Sequence, residues 1–131
     1  MATVITNVGQ AIPPNRMLGA GTEPLNVGWG TGAGTAAVGD TTLFTEVAVD
    51  LTTTTGSRTA GTSSRVTTTQ TNDTYQVVAT RTATGAGTVT NAGLWDNVTI
   101  ASGTLYLKGD FVGIGLASGD SIAFTVKVKF S

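Results

Sequence analysis

The residue types able to act on a substrate are few here, and their spacing limits what they could do. The stretch Gly28-Trp29-Gly30-Thr31-Gly32-Ala33-Gly34-Thr35 has the composition of a phosphate-cradling loop, in which glycines let backbone amides approach the anion. Such a loop ends in Lys-Ser or Lys-Thr and opens a helix whose first amides complete the cradle, and neither feature follows here. It is read instead as a conformationally demanding loop that anchors Trp29 in the core or at a subunit contact. Paired carboxylates could do acid/base work or hold calcium. Asp40, Glu46, Asp50, Asp73, Asp96, Asp110 and Asp120 are dispersed, however, and fit no EF-hand spacing. Asp73, Asp96 and Asp120 stand beside turn signals, where a carboxylate commonly bonds backbone amides.

Hydroxyl nucleophiles are abundant, but the chain has no histidine to activate them and no Gly-x-Ser-x-Gly elbow. Serine–lysine chemistry needs a buried lysine of depressed pKa, whereas Lys108, Lys127 and Lys129 fall on the predicted polar side of strands. With no cysteine there is neither a thiolate nor a disulfide framework. The expectation is therefore no catalytic residue, no cofactor, no metal and no enzymatic activity. Asn72-Asp73-Thr74 and Asn97-Val98-Thr99 are sequons that matter only in a secretory protein. The first residues carry no basic n-region and no apolar h-region, so the chain is expected to be made and to fold in a cytoplasm.

The elements that must position these residues are set by composition. Of 131 residues, 11% are charged, far below the roughly 25% of an ordinary domain, and the formal net charge is −1. A surface so poor in ions must be covered by hydroxyls and backbone. Scattered basic residues give no footprint for nucleic acid, the few aromatics do not interleave with them, and no stretch is apolar enough to span a bilayer. Threonine runs at 52–55 and 67–69 favour strands, and 18 glycines punctuate the chain too often for long helices.

Alternation locates the strands. Ile122, Phe124, Val126, Val128 and Phe130 alternate with polar residues, as do Leu105, Leu107 and Phe111. These two strands are expected to share one antiparallel sheet. A third strand spans 74–84, with Tyr75, Val77 and Ala79 on one face, and forms a hairpin with a fourth at 89–95. Leu43, Val47, Val49 and Leu51 mark another, residues 24–29 one more, and 54–64 reads as a flexible loop. The expected fold is all-β, an antiparallel β-sandwich or jelly-roll-like barrel over residues 24–131 as a single domain, with an extended N-terminal arm at 1–23. Pro13-Pro14, Pro24 and Gly19-Ala20-Gly21 argue against regular structure in that arm, which either lies along a neighbour in an assembly or is a loose terminus.

The order Trp29-Gly30-Thr31-Gly32, Asp40-Thr41-Thr42-Leu43 with Glu46, Asn91-Ala92-Gly93-Leu94-Trp95, Gly103-Thr104-Leu105 through Lys108, and Ser118-Gly119-Asp120-Ser121-Ile122-Ala123-Phe124 resembles small tailed-bacteriophage virion proteins. It covers residues 27–131. The resemblance implies an all-β structural component of a phage particle: a capsid decoration (cement) protein, or a module of a tail fibre or baseplate. It implies no catalytic residue.

Three functions compete. A cement protein, expected as a homotrimer on the outer capsid surface, would bind the major capsid protein and bridge its subunits through the arm and the surface near the tryptophans. Ile5, Pro13, Pro14, Arg16, Met17, Trp29 and Trp95 are its candidate interface residues. A tail-fibre, baseplate or receptor-binding module would contact glycan through loops such as 54–64, with an aromatic platform drawn from Tyr75, Tyr106, Trp29 or Trp95. A glycan hydrolase would need two carboxylates facing each other across a cleft. The cement reading ranks first.

Overall fold

Threonine- and valine-rich alternation without helix-length apolar stripes gives a chain that is 46% strand and 8% helix. A computed structural model describes residues 2–130. The strands are β1 (Thr3–Ile5), β2 (Asn26–Gly30), β3 (Glu46–Val47), β4 (Thr59–Ala60), β5 (Thr62–Val66), β6 (Thr74–Thr82), β7 (Gly87–Trp95), β8 (Leu105–Leu116) and β9 (Ser121–Lys129). They form two antiparallel sheets. One has the order β1-β8-β7-β2, with β3 and β4 sharing the far edge of β2, and the other has the order β5-β6-β9. The sheets close on each other over Val27, Leu94 and Leu107 from the first and Val77, Ala79 and Val128 from the second. A second cluster around Trp29, Val89 and Leu116 continues this layer. The architecture is the expected all-β sandwich.

Several pairings differ from those expected. β8 and β9 lie in different sheets, because the turn at 117–120 carries the chain from one layer to the other instead of back along the same one. Asp120 closes that turn by accepting the Ala117 N–H. Likewise β6 and β7 are not a hairpin: β6 pairs with β5 and β9, and β7 with β2 and β8. Around Leu43–Leu51 only Glu46 and Val47 pair. The chain then turns, with Leu51 at φ 64° and the Asp50 carboxylate accepting the N–H groups of Thr52 and Thr53. The segment 54–64, read as a flexible loop, contains β4 and the start of β5, and Arg58 just before β4 is buried.

Lys108 is also a correction, since it is 1% exposed. A β-bulge places Leu105 opposite Trp95 but Leu107 opposite Leu94, so Leu105 joins Trp95 and Leu43 in a cluster separate from the inter-sheet core. The connection from β2 to β3 folds over this outer face of the sheet. Asn91 on β7 bonds both the N–H and the C=O of Phe44, as a neighbouring strand would. Beneath this cover Lys108 donates to Asp40 and to the Thr42 carbonyl, with its ammonium 3.2 Å from the Phe44 ring centre.

Three of the seven cations are thus buried, each against an aromatic ring. Arg58 stacks 3.6 Å from the Trp95 ring centre and Arg81 lies 4.9 Å from that of Trp29. Arg58 forms a two-pronged ion pair with Glu46, at 2.7 and 2.8 Å, and its remaining nitrogen donates to the carbonyls of Asn97, Thr99 and Ser102. The two side chains are 0% and 8% exposed. Among the described residues no carboxylate contacts Arg81, which bonds Thr59 and the carbonyls of Ser57 and Val47; burial draws its pKa down to about 10, so it stays charged at neutral pH.

Removing one member of a buried pair strands the other charge. Arg58→Met is therefore expected to cost roughly 3–5 kcal/mol in urea denaturation, and adding Glu46→Met should recover much of the loss. A second expectation concerns acid. Asp73 accepts the N–H groups of Thr68, Thr69 and Gln70, and these bonds hold its carboxyl well below the ordinary 3.8; Thr53 and Thr52 hold Asp50 at about 2. A carboxyl depressed on folding stabilises fully above its unfolded value and loses that contribution as pH falls through the folded one. Melting temperature should therefore drop below about pH 4, and Asp73→Asn should melt lower at neutral pH with a shallower acid slope.

Candidate docking surface

The chain enters along the edge of the first sheet, where β1 pairs Thr3 with Gly109, Val4 with Lys108 and Ile5 with Leu107. Thr6, fully buried, donates to the Leu105 carbonyl and accepts the Gly9 N–H. Gly9 then rests directly on β8: a Cβ at this position would lie 2.6 Å from the Tyr106 Cα, which no side chain tolerates. A short 3-10 turn (Val8–Ala11) leads into α1 (Ile12–Met17), whose Ile12 enters the inter-sheet core beside Tyr106.

The arm expected at 1–23 is accordingly not extended over its described residues, 2–23. Pro13 and Pro14, read as breaking regular structure, sit in the first turn of α1, where N–H groups have no helical acceptor and a fixed φ suits the helix. Glycine ends it: Gly19 takes φ 77° while its N–H reaches the Arg16 carbonyl and the Ala20 N–H reaches that of Asn15. The exit is tied down as well. The Tyr75 hydroxyl lies 3.0 Å from the Glu23 carboxylate and 2.9 Å from the Pro24 carbonyl, and burial, then the neighbouring Glu23, push its pKa up.

A segment held at both ends presents what lies between. Met17 and Leu18 are 87% and 84% exposed. Beside them runs an apolar groove of about 500 Å³, walled by Ile12, Pro13, Met17, Tyr75, Tyr106 and Phe130, with Arg16 and Glu23 at its rim. Of the residues singled out from sequence, Pro13, Pro14, Arg16 and Met17 come together on α1. Ile5 does not join them; it is half-buried in β1 against the core. Trp29 and Trp95 are 0% and 3% exposed and belong to the interior, so they display no surface. Leu18 and Phe130 were missed. Leu18 follows Met17 just before a glycine, a signal that was legible, whereas Phe130 looked inward by alternation and emerges because β9 stops at Lys129.

A second depression, about 350 Å³, is bordered by Thr41, Thr42, Thr45 and Thr54 near Trp95. Its carboxylate, Glu46, has both oxygens engaged by Arg58. Among the described residues no three His, Cys, Asp or Glu side chains cluster in a way that could hold a metal ion, and no helix is long and apolar enough to cross a membrane. The chain matches no protein-family model, no curated protein and no solved structure.

Tyr75→Phe removes the staple while keeping the ring in the groove. It is expected to cost about 1–2 kcal/mol and to speed proteolytic cleavage and amide exchange across residues 15–24, leaving the rest of the sandwich unchanged.

Proposed function

We propose that this chain is a structural protein of a bacteriophage virion, a capsid decoration protein that binds the outer shell and bridges major capsid subunits. The observation that carries this reading is the pair Met17 and Leu18, exposed at the end of α1 in a segment that is fixed to the body at both ends and flanked by an aromatic groove. A backbone already fixed has no ordering cost left to meet on binding, and the large apolar side chains it carries serve as anchors for a protein partner. The surrounding surface, poor in ions, allows close approach without stripping water from many charges. The resemblance of residues 27–131 to small tailed-phage virion proteins supports the same reading, and with it residence on the virion surface.

The tail-fibre, baseplate or receptor-binding alternative draws on aromatic faces for glycan. Trp29 and Trp95 are enclosed, which leaves that reading only the tyrosines of the groove and the threonine-bordered depression.

Deleting the N-terminal segment is not a clean test, because Thr6, Gly9 and Ile12 are built into the body. Met17→Asp with Leu18→Asp changes only the exposed tip. The wild-type protein is expected to co-sediment with empty phage shells and the double variant to lose that binding at an unchanged melting temperature. Failure of the wild type to bind any shell would overturn the reading and put the tail module first.

A further inference from the structure

Strand β9 is the last strand of its sheet, and among the described residues nothing pairs with its outer edge. It is nine residues long, against five for β5 at the opposite edge and three for β1, and it contains no proline. Backbone groups alternate along an antiparallel strand, one residue pairing left and the next right. The Phe130 N–H bonds the Asp73 carbonyl and the Ala83 N–H bonds the Asp120 carbonyl, so even-numbered residues of this strand turn towards β6. Ser121, Ala123, Thr125, Lys127 and Lys129 therefore direct their N–H and C=O groups outward. Their side chains are exposed, while Ile122, Phe124 and Val126 on the inner face are half-buried. Phe124 and Val126 border a gap of about 320 Å³ between the sheets, opposite Leu107 and Phe111.

We infer that β9 pairs antiparallel with β9 of a second copy about a two-fold axis at Thr125, joining two three-stranded sheets into one continuous sheet. The occupant is set by the strand's own pattern. With Thr125 opposite Thr125, Ala123 faces Lys127 and Ser121 faces Lys129, so every outward N–H and C=O finds a partner. On the inner face Ile122 meets Val128 and Phe124 meets Val126, placing apolar side chains side by side along the gap. Thr125 is the midpoint of the strand, so this axis alone pairs all five outward residues, and the lysines disfavour two competing arrangements. In-register parallel pairing, or a two-fold axis at Lys127, would set like charges directly opposite each other. The contact does not depend on capsid binding, and it is two-fold where the resemblance implies a trimer.

Two substitutions act on the edge and not on the fold. Thr125→Lys puts two ammonium groups across the axis, and its side chain points into solvent in a single copy. Thr125→Pro deletes an N–H that the single copy does not use, a position at which edge strands accept proline. Sedimentation-equilibrium analysis of the full chain is expected to give a dimer for the wild type and a monomer for both variants. Hydrogen exchange should show the Ala123, Thr125 and Lys127 amides protected in the wild type and unprotected in Thr125→Lys. A monomeric wild type up to its solubility limit would overturn the inference, as would a dimer or trimer that both variants leave intact.

Discussion

The ion pair between Arg58 and Glu46 is the contact on which the irregular half of the molecule depends. The long connections at 31–45, 48–58 and 96–104 lie outside the two main ladders, and short runs of backbone bonds, such as Arg58 N–H to the Val98 carbonyl and Ile100 N–H to the Gly56 carbonyl, tie them only locally. Arg58 gathers them. Its guanidinium faces Glu46 at the end of the first connection, takes three carbonyls of the third, and lies flat on Trp95. A buried ion pair gains little over an apolar substitute, but its geometry is strict, and a strict requirement met from three segments fixes where each must lie. Lys108 does the same for the segment over β8, and Arg81 for the strands around Trp29. In a chain with seven basic residues, using three inside leaves only four for the surface.

That allocation is also where sequence reading fails. Alternation reports which residues face the same way, and it did so for β6 and β9: Val77 and Ala79 are buried, and Ile122, Phe124, Val126 and Val128 turn inward. It does not report what covers the other face. Lys108 stands in a polar register position, but the β2–β3 connection roofs that face, so a position read as solvent is interior. The bulge at Tyr106 moves Leu105 and Leu107 to different sides, and no composition cue marks it. Partner choice is equally silent, because the alternation in β8 and β9 fits neighbours in one sheet as well as strands facing each other across a core.

Local chemistry was more legible. The turn aspartates behave as short carboxylates beside Gly, Asn and Ser should: Asp73, Asp96 and Asp120 each accept backbone N–H groups. The N-terminal segment shows how one residue type supports opposite readings. Pro13-Pro14 excludes a helix that would have to continue through it and favours one that begins there, and only Gly19 six residues on distinguishes the two cases. With the helix come Pro13, Pro14, Arg16 and Met17 on one short element, which is why these residues form a surface and Ile5, Trp29 and Trp95 do not.

The α1 surface and the β9 edge are of different kinds, and the difference bears on how an assembly could be built from them. Around α1 the unmet demand is apolar: Met17, Leu18 and Phe130 are exposed, while the C-terminal turn of the helix and the Tyr75 hydroxyl have their hydrogen bonds. Along β9 the unmet demand is the backbone, and the exposed side chains there are small or cationic. An apolar anchor tolerates many partner shapes, whereas a strand edge fixes direction and register. A protein that must recognise its own kind by one contact and a larger, differently shaped surface by another is served by this division. It also needs both to be rigid, since an anchor or an edge that had to be ordered on binding would return much of its contact energy as lost chain entropy. Thr6, Ile12 and the Tyr75 hydroxyl supply that rigidity at α1, and the nine-residue ladder with β6 supplies it at β9, in a domain with no disulfide.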